Sequence, residues 1–310
     1  MIDPFRFGPW VSAEAEAALR AESRESPAPS GDIVALRSHY DAFNRRHLAV
    51  ARENYSVEIV ESEIAGVRVD IVTPTHANVG GRTLICLHGG AFMWGRGAGA
   101  LLEAVPVAAV AKMRVIAVEY SLAPEKVFPA AVEDLLNVYS ALAARQPATS
   151  LGIYGCSAGG ILTAQVTARM IVEGGRLPGA IAMLCGTGLE MGGDSVAVAA
   201  AFNGSSEATA TPTLAALPYF TGANLQDPQT FPGEHPDVLA GFPPSLLVTG
   251  SRDFAASSVT VMHRRLVAAG VPASLLHFDG MWHAFHMATT LPESRETFAA
   301  MAQFFETHLT

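Results

Sequence analysis

Apolar residues arrive in two rhythms along this chain, and the alternation between them lays out its elements. Short, nearly unbroken apolar runs at 83–87, 115–119, 151–154, 180–184, 246–249 and 274–278 read as strands buried on both faces. Between and after them, apolar positions return at helical spacing near 99–112, 129–145, 158–173, 256–269 and 293–308. Strands alternating with helices imply a mostly parallel, doubly wound sheet with helices on both faces. Two further strands, 57–61 and 67–72, follow each other with no room for a crossover helix, so they are expected to be antiparallel. The expected sheet thus has eight strands. Upstream lie two helical patterns: an Ala- and Glu-rich stretch at 12–24, and a second in which Ile33, Leu36, Tyr40, Phe43 and Leu48 recur with Arg and His between them.

One stretch breaks the rhythm. About sixty residues between Leu184 and Leu246 are rich in Gly, Ala, Thr and Pro and follow no regular period. Leu189, Met191, Phe202, Leu214, Tyr219 and Phe220 give it enough apolar area to prefer packing over solvent. So long an insertion inside an α/β unit reads as a functional lid, with a disordered insert as the alternative.

Composition narrows the class. Of 310 residues, 50% are hydrophobic and 16% charged, which suits a large core and argues against disorder. A formal net charge of −9 disfavours nucleic acid or an anionic membrane surface as partner. No apolar run reaches the ~18 residues needed to span a bilayer. Residues 1–6 lack the basic-then-apolar start of a signal peptide, so a cytoplasmic location is expected. Cys86, Cys156 and Cys185 form no C-x-x-C, and no H-E-x-x-H is present; reduced thiols and neither metal nor cofactor are expected. The Cys156 thiol, beside the serine discussed next, is expected to be buried and inert.

Gly155-Cys156-Ser157-Ala158-Gly159 carries the strongest chemical signal. It fits G-x-S-x-G at the junction of a strand and a helix, a tight turn that exposes the serine hydroxyl above a helix N-terminus. His88-Gly89-Gly90-Ala91-Phe92 directly follows the strand at 83–87. Gly89 and Gly90 are free to turn their amides toward a ligand, and with the amide of Ala158 they would stabilise an oxyanion. Asp253 follows the strand at 246–249, and His283 follows the strand at 274–278. The chain order is Ser157, Asp253, His283, with each residue beyond the C-terminal end of a strand. Serine would act as nucleophile, histidine as base and aspartate as the group that orients the histidine. Asp253 could instead cap the helix that follows, and His286 is an alternative base. Asp279 reads as a turn-shaping residue. Phe92, Trp94, Trp282 and Phe285 would line an apolar substrate pocket; Trp282 is either a wall that limits acyl length or a core residue.

These motifs resemble the hormone-sensitive-lipase-like branch of the α/β-hydrolases, the bacterial family IV carboxylesterases with H-G-G-G and G-D-S-A-G-G. The resemblance runs from about Val57 to the C-terminus and includes Tyr120-Ser121-Leu122-Ala123-Pro124-Glu125 and Phe128-Pro129-Ala130-Ala131-Val132-Glu133-Asp134. Ala91, Cys156, Ser121 and Glu119 depart from the family pattern, as does Phe254 after the expected catalytic acid. The resemblance implies an α/β-hydrolase domain over 56–185 and 241–310, with 1–55 and 186–240 as a helical cap. It also implies oxyanion amides at Gly89 and Gly90, a small-molecule ester substrate, and a homodimer formed through the last strand. The same serine chemistry would serve an amidase, a carbamate hydrolase or an acyltransferase. A non-catalytic ligand receptor on this fold would be expected to have a damaged triad.

Overall fold

Eight strands build one sheet in the order β1-β2-β4-β3-β5-β6-β7-β8. They are β1 (Val57–Ile64), β2 (Val67–Pro74), β3 (Thr83–Leu87), β4 (Arg114–Val118), β5 (Leu151–Cys156), β6 (Ala180–Leu184), β7 (Ser245–Gly250) and β8 (Ala273–Phe278). The computed structural model describes residues 6–24, 28–75, 80–202 and 213–310, the side chains of 201 and 202 excepted. The side chain of the expected lid residue Phe202 and most of the N-terminal hexapeptide are therefore not described. β2 runs antiparallel to both β1 and β4, and all pairings from β4 to β8 are parallel.

The central strands are buried along their whole length, which explains their unbroken apolar runs. The two-residue alternation of a strand divides their side chains between two cores. Leu84 and Cys86 face the helices α3 (Ala98–Ala111) and α9 (Pro292–His308). Ile85 and Leu87 face α4 (Ala130–Ala143), α5 (Ala158–Val172) and α8 (Ala256–Ala268).

The N-terminal helices join the α3/α9 layer. Ser12 caps α1 (Ala13–Glu22) by accepting from the Ala15 amide, and is itself held by Glu293 of α9. Asp32 caps α2 (Ile33–Asn54). Arg37 of α2 donates to the Met93 and Ala123 carbonyls and pairs with Glu125, which fixes α2 across the loops after β3 and β4. The long stretch after β6 contains α6 (Asp194–Phe202) and α7 (Pro236–Leu239), with single 3-10 turns between them. Leu189, Leu214, Tyr219 and Phe220 are buried in the α4/α5/α8 core, and Met191 packs against it. Tyr219 donates to the Gln165 side chain of α5 at 3.0 Å.

Candidate active site

The turn from β5 into α5 leaves no space for side chains around Ser157. A Cβ on Gly159 would run into the Leu87 carbonyl, and one on Gly160 into the Gly186 carbonyl. Ser157 takes φ 55° and ψ −118°, and its amide donates to the Leu184 carbonyl at 2.7 Å. This strained turn directs the hydroxyl out of the sheet at the N-terminus of α5.

Ser157 Oγ donates to His283 Nε2 at 2.9 Å, and His283 Nδ1 donates to Asp253 Oδ1 at 2.7 Å. Asp253 is fully buried. Burial pushes its carboxyl up, but the His283 charge and hydrogen bonds from His283, the Ala255 amide and the Thr249 hydroxyl outweigh that and hold it below its usual range. Asp253 thus serves the turn into α8 and the imidazole together. Phe254 stacks on the His283 ring, with centroids 4.0 Å apart. His286 is buried between Phe285 and Phe298, so the alternative base points into the core. Asp279 accepts from Ser251 in the turn after β8.

The loop after β3 differs from expectation at one amide. Gly89 N–H donates to Glu103 Oε1 of α3 at 2.6 Å, so it is taken and does not face the serine. The amides of Gly90, Ala91 and Ala158 make no hydrogen bond among the described residues. Gly90 and Ala91 line the cavity that holds Ser157. Of the expected donors, Gly90 and Ala158 keep unbonded amides and Gly89 does not, while the amide of Ala91 is unbonded as well. Ala91 reaches this geometry at φ 48°, a left-handed conformation costly for a residue with a Cβ. His88 secures the loop: its ring stacks on Tyr120 and its Nδ1 donates to the Gly89 carbonyl, while Tyr120 donates to the His88 carbonyl.

The cavity holds about 390 Å³. Trp94 and Trp282 line it as expected. Phe92 and Phe285 do not: both are fully buried, Phe92 stacked on Tyr219 and Phe285 packed on Phe278. Phe92 follows the loop's turn back into the α4/α5/α8 core, and Phe285 lies past the left-handed Ala284, which turns the chain inward. In their place the wall takes Tyr40, Phe43, Asn44 and His47 from one face of α2, together with Phe254 and Met287. Tyr40 stacks flat on Trp94 at 4.4 Å. Among the described residues, none from 186–240 lines this cavity.

A profile of the family described as "alpha/beta hydrolase fold" matches residues 84–287. A Mycobacterium tuberculosis protein named as an acetyl-hydrolase is 31% identical over 280 residues, covering 84% of each chain. An Acinetobacter venetianus esterase is 28% identical over 297 residues, covering 93% of this chain and 92% of its own. The solved structure of esterase E25 superposes with a TM-score of 0.82 at 28% identity, covering 100% of this chain and 99% of that one. An esterase of the bacterial hormone-sensitive lipase family gives 0.82 at 25% identity, covering 96% and 99%. The chain belongs to the α/β-hydrolase family. Within it, this is an esterase of the hormone-sensitive-lipase-like branch.

The esterase keeps its three thiols free and buried. The hydrogen bond with Cys185 and burial push the Cys156 thiol well above its usual range. Ligand atoms of Cys156, Cys185 and His286 lie within 4.8 Å of one another, as do those of Cys185, Asp253 and His283. Cys156 and Cys185 bond to each other, Cys185 Sγ accepts from the Ala284 amide, and Asp253 and His283 bond to each other, while His286 Nδ1 has no partner among the described residues. Glu119, which departs from the family pattern, accepts from the Gly97 amide, and Asp134 accepts from the amide of Ser121, which also departs. Among the described helices of the esterase, none is long and apolar enough to cross a membrane.

Proposed function

We propose that the chain is a serine carboxylesterase that hydrolyses short-chain or aryl esters through an acyl-serine intermediate. The observation that carries this reading is the unbroken row of hydrogen bonds from Ser157 through His283 to Asp253, at 2.9 and 2.7 Å. Ser157 Oγ attacks the ester carbonyl as its proton passes to His283 Nε2. The carbonyl oxygen becomes an oxyanion facing the amides of Gly90, Ala91 and Ala158. Collapse of this intermediate breaks the bond to the alkoxy oxygen, which leaves with the proton from His283. Water then gives its proton to His283 as it attacks the acyl carbonyl, and the acid leaves as His283 returns that proton to Ser157 Oγ. Asp253 holds the imidazole in the tautomer with Nδ1–H and stabilises its cation.

Aromatic walls and a modest volume favour a small acyl group or an aryl leaving group. The acetyl-hydrolase named among the relatives agrees with a short acyl chain. We read residues 1–55 as a cap over the site, supported by the four α2 side chains that line the cavity. We read 186–240 as its second part, packed on the α5 side, with the catalytic domain in 56–185 and 241–310. A panel of aryl esters with graded acyl length, run on wild type and Ser157→Ala, tests the reading. Turnover should be highest for the shortest acyl chains, and Ser157→Ala should lower kcat by about 10⁴–10⁶. Wild-type-like turnover in that variant would rule the reading out.

A further inference from the structure

The strands β3 and β5 pair in register as far as Leu87 and Gly155, and then part. Beyond that point each chain enters a loop that the proposed reaction needs: the oxyanion loop after β3 and the serine turn after β5. Gly89 lies two residues past Leu87 and Cys156 one residue past Gly155, where the two strands no longer pair. The Gly89 amide donates to the Glu103 carboxyl, which α3 delivers, at 2.6 Å from Oε1, and the Cys156 amide lies close enough to the same carboxyl to pull on its proton. Glu103 is buried, and its own helix is tied to β5 through the Tyr154 hydroxyl, which donates to the Glu103 carbonyl.

We propose that Glu103 is a positioning residue that clasps the oxyanion loop to the serine turn, and that it does so as the neutral acid. By taking the Gly89 amide it turns the peptide so that the next two amides, Gly90 and Ala91, face the cavity. With the Cys156 amide drawn toward the same carboxyl, it ties that loop to the residue before the nucleophile. This inference rests on the serine esterase reading and adds a residue to it.

The protonation state follows from the surroundings. Burial raises the Glu103 carboxyl to about 8, against the opposing pull of the Gly89 and Cys156 amides. His88 on the same loop is held neutral, lowered by burial to about 4. Burial carries Cys86 on β3, Tyr120 after β4 and Tyr154 on β5 well above their usual ranges, as the Cys185 hydrogen bond and burial do for Cys156, so Glu103 ionises before any of them. The other titratable groups on the cavity wall are Glu22, Tyr40, His47 and His283. A charge appearing on Glu103 would stand directly behind the amides that receive the oxyanion and would oppose a second negative charge there.

The experiment compares wild type, Glu103→Gln and Glu103→Ala, with Ser157→Ala as control, on one short-chain aryl ester from pH 6 to 10. Glutamine keeps the acceptor and cannot ionise. The expected result at pH 7 is a kcat for Glu103→Gln within about threefold of wild type, and a loss of about 10²-fold for Glu103→Ala with KM changed far less, the signature of an interaction made in the transition state. Above pH 8 the wild-type kcat should decline while that of Glu103→Gln holds. A kcat for Glu103→Ala equal to wild type, or the same alkaline decline in Glu103→Gln, would overturn the proposal. If Glu103→Ala does not fold, the pH profile of Glu103→Gln decides alone. Ester turnover persisting in Ser157→Ala overturns the serine reading itself, and so is told apart from a failure at Glu103.

Discussion

Ser157 sits in a backbone conformation that L-residues rarely adopt, at φ 55° and ψ −118°. Such a residue stores roughly 1–3 kcal/mol, released only if the side chain is given up. Ser157→Gly should therefore melt at a higher temperature than Ser157→Ala while both are inactive; equal melting temperatures would show the turn to be unstrained. Asp253→Asn removes the charge but keeps the shape, and should lower kcat by about 10³–10⁴, because the amide no longer fixes the Nδ1–H tautomer of His283. Trp282 lines the cavity beside the base, and Trp282→Ala should shift preference toward longer acyl chains; an unchanged chain-length profile counts against it as a wall. Ser157, Asp253 and His283 were legible because each follows a strand in an order that places all three at one rim. The Gly89 amide, expected to face an oxyanion, is taken by Glu103. Glu103 lies fourteen residues after Gly89 in a helix whose other residues are apolar, and nothing in the spacing says where a buried carboxyl group ends. Phe92 and Phe285 were misread for a related reason. Neighbours of site residues point either into the cavity or into the core, and the positive φ values at Ala91, Phe92 and Ala284 set which.

The strands were legible because burial on both faces leaves an apolar run that few other elements produce. The helices were legible by period, to within a residue or two at most ends. α2 shows the limit of that reading. Its cavity face is Tyr40, Phe43, Asn44 and His47, at the helical spacing i, i+3, i+4, i+7, but it mixes rings with an amide and an imidazole. By hydropathy such a face is the border of a helix rather than its buried stripe. Its anchors also come from distant sequence: Arg37 reaches the loops after β3 and β4, and Tyr40 stacks on Trp94. Loss of that stack should loosen the wall rather than the chemistry. Tyr40→Ala is expected to raise KM for aryl esters several-fold, in line with about 0.5–1.5 kcal/mol for an aromatic pair, with kcat little changed. A fall in kcat at constant KM would mean that α2 positions the reacting groups as well.

For the whole molecule, buried ionisable groups set the pH range of stability. His88 and His286 are both lowered to about 4 by burial, the first held by one ring nitrogen and the second with an unpartnered Nδ1. The unfolded chain takes up protons at these rings as pH falls through about 6.5, and the folded chain does not until about 4. Their contribution is therefore complete above 6.5 and is lost as pH falls to 4, at of order 3 kcal/mol for each ring. Glu103 acts with the opposite sign. The unfolded chain releases its proton near 4.5 and the folded chain holds it to about 8, so the neutral form stabilises fully below 4.5 and that stability is lost as pH rises to 8. Together they place the maximum of stability on the mildly acidic side of neutrality, near pH 6.5. Melting temperatures measured from pH 4 to 9 should rise and then fall. Glu103→Gln should flatten the fall between pH 6.5 and 8, and His286→Phe, which removes an unpartnered nitrogen from among rings, should flatten the acid side. If both variants track wild type in parallel across the range, the pH dependence belongs to other groups, and the two burials cost the fold nothing that titration can reach.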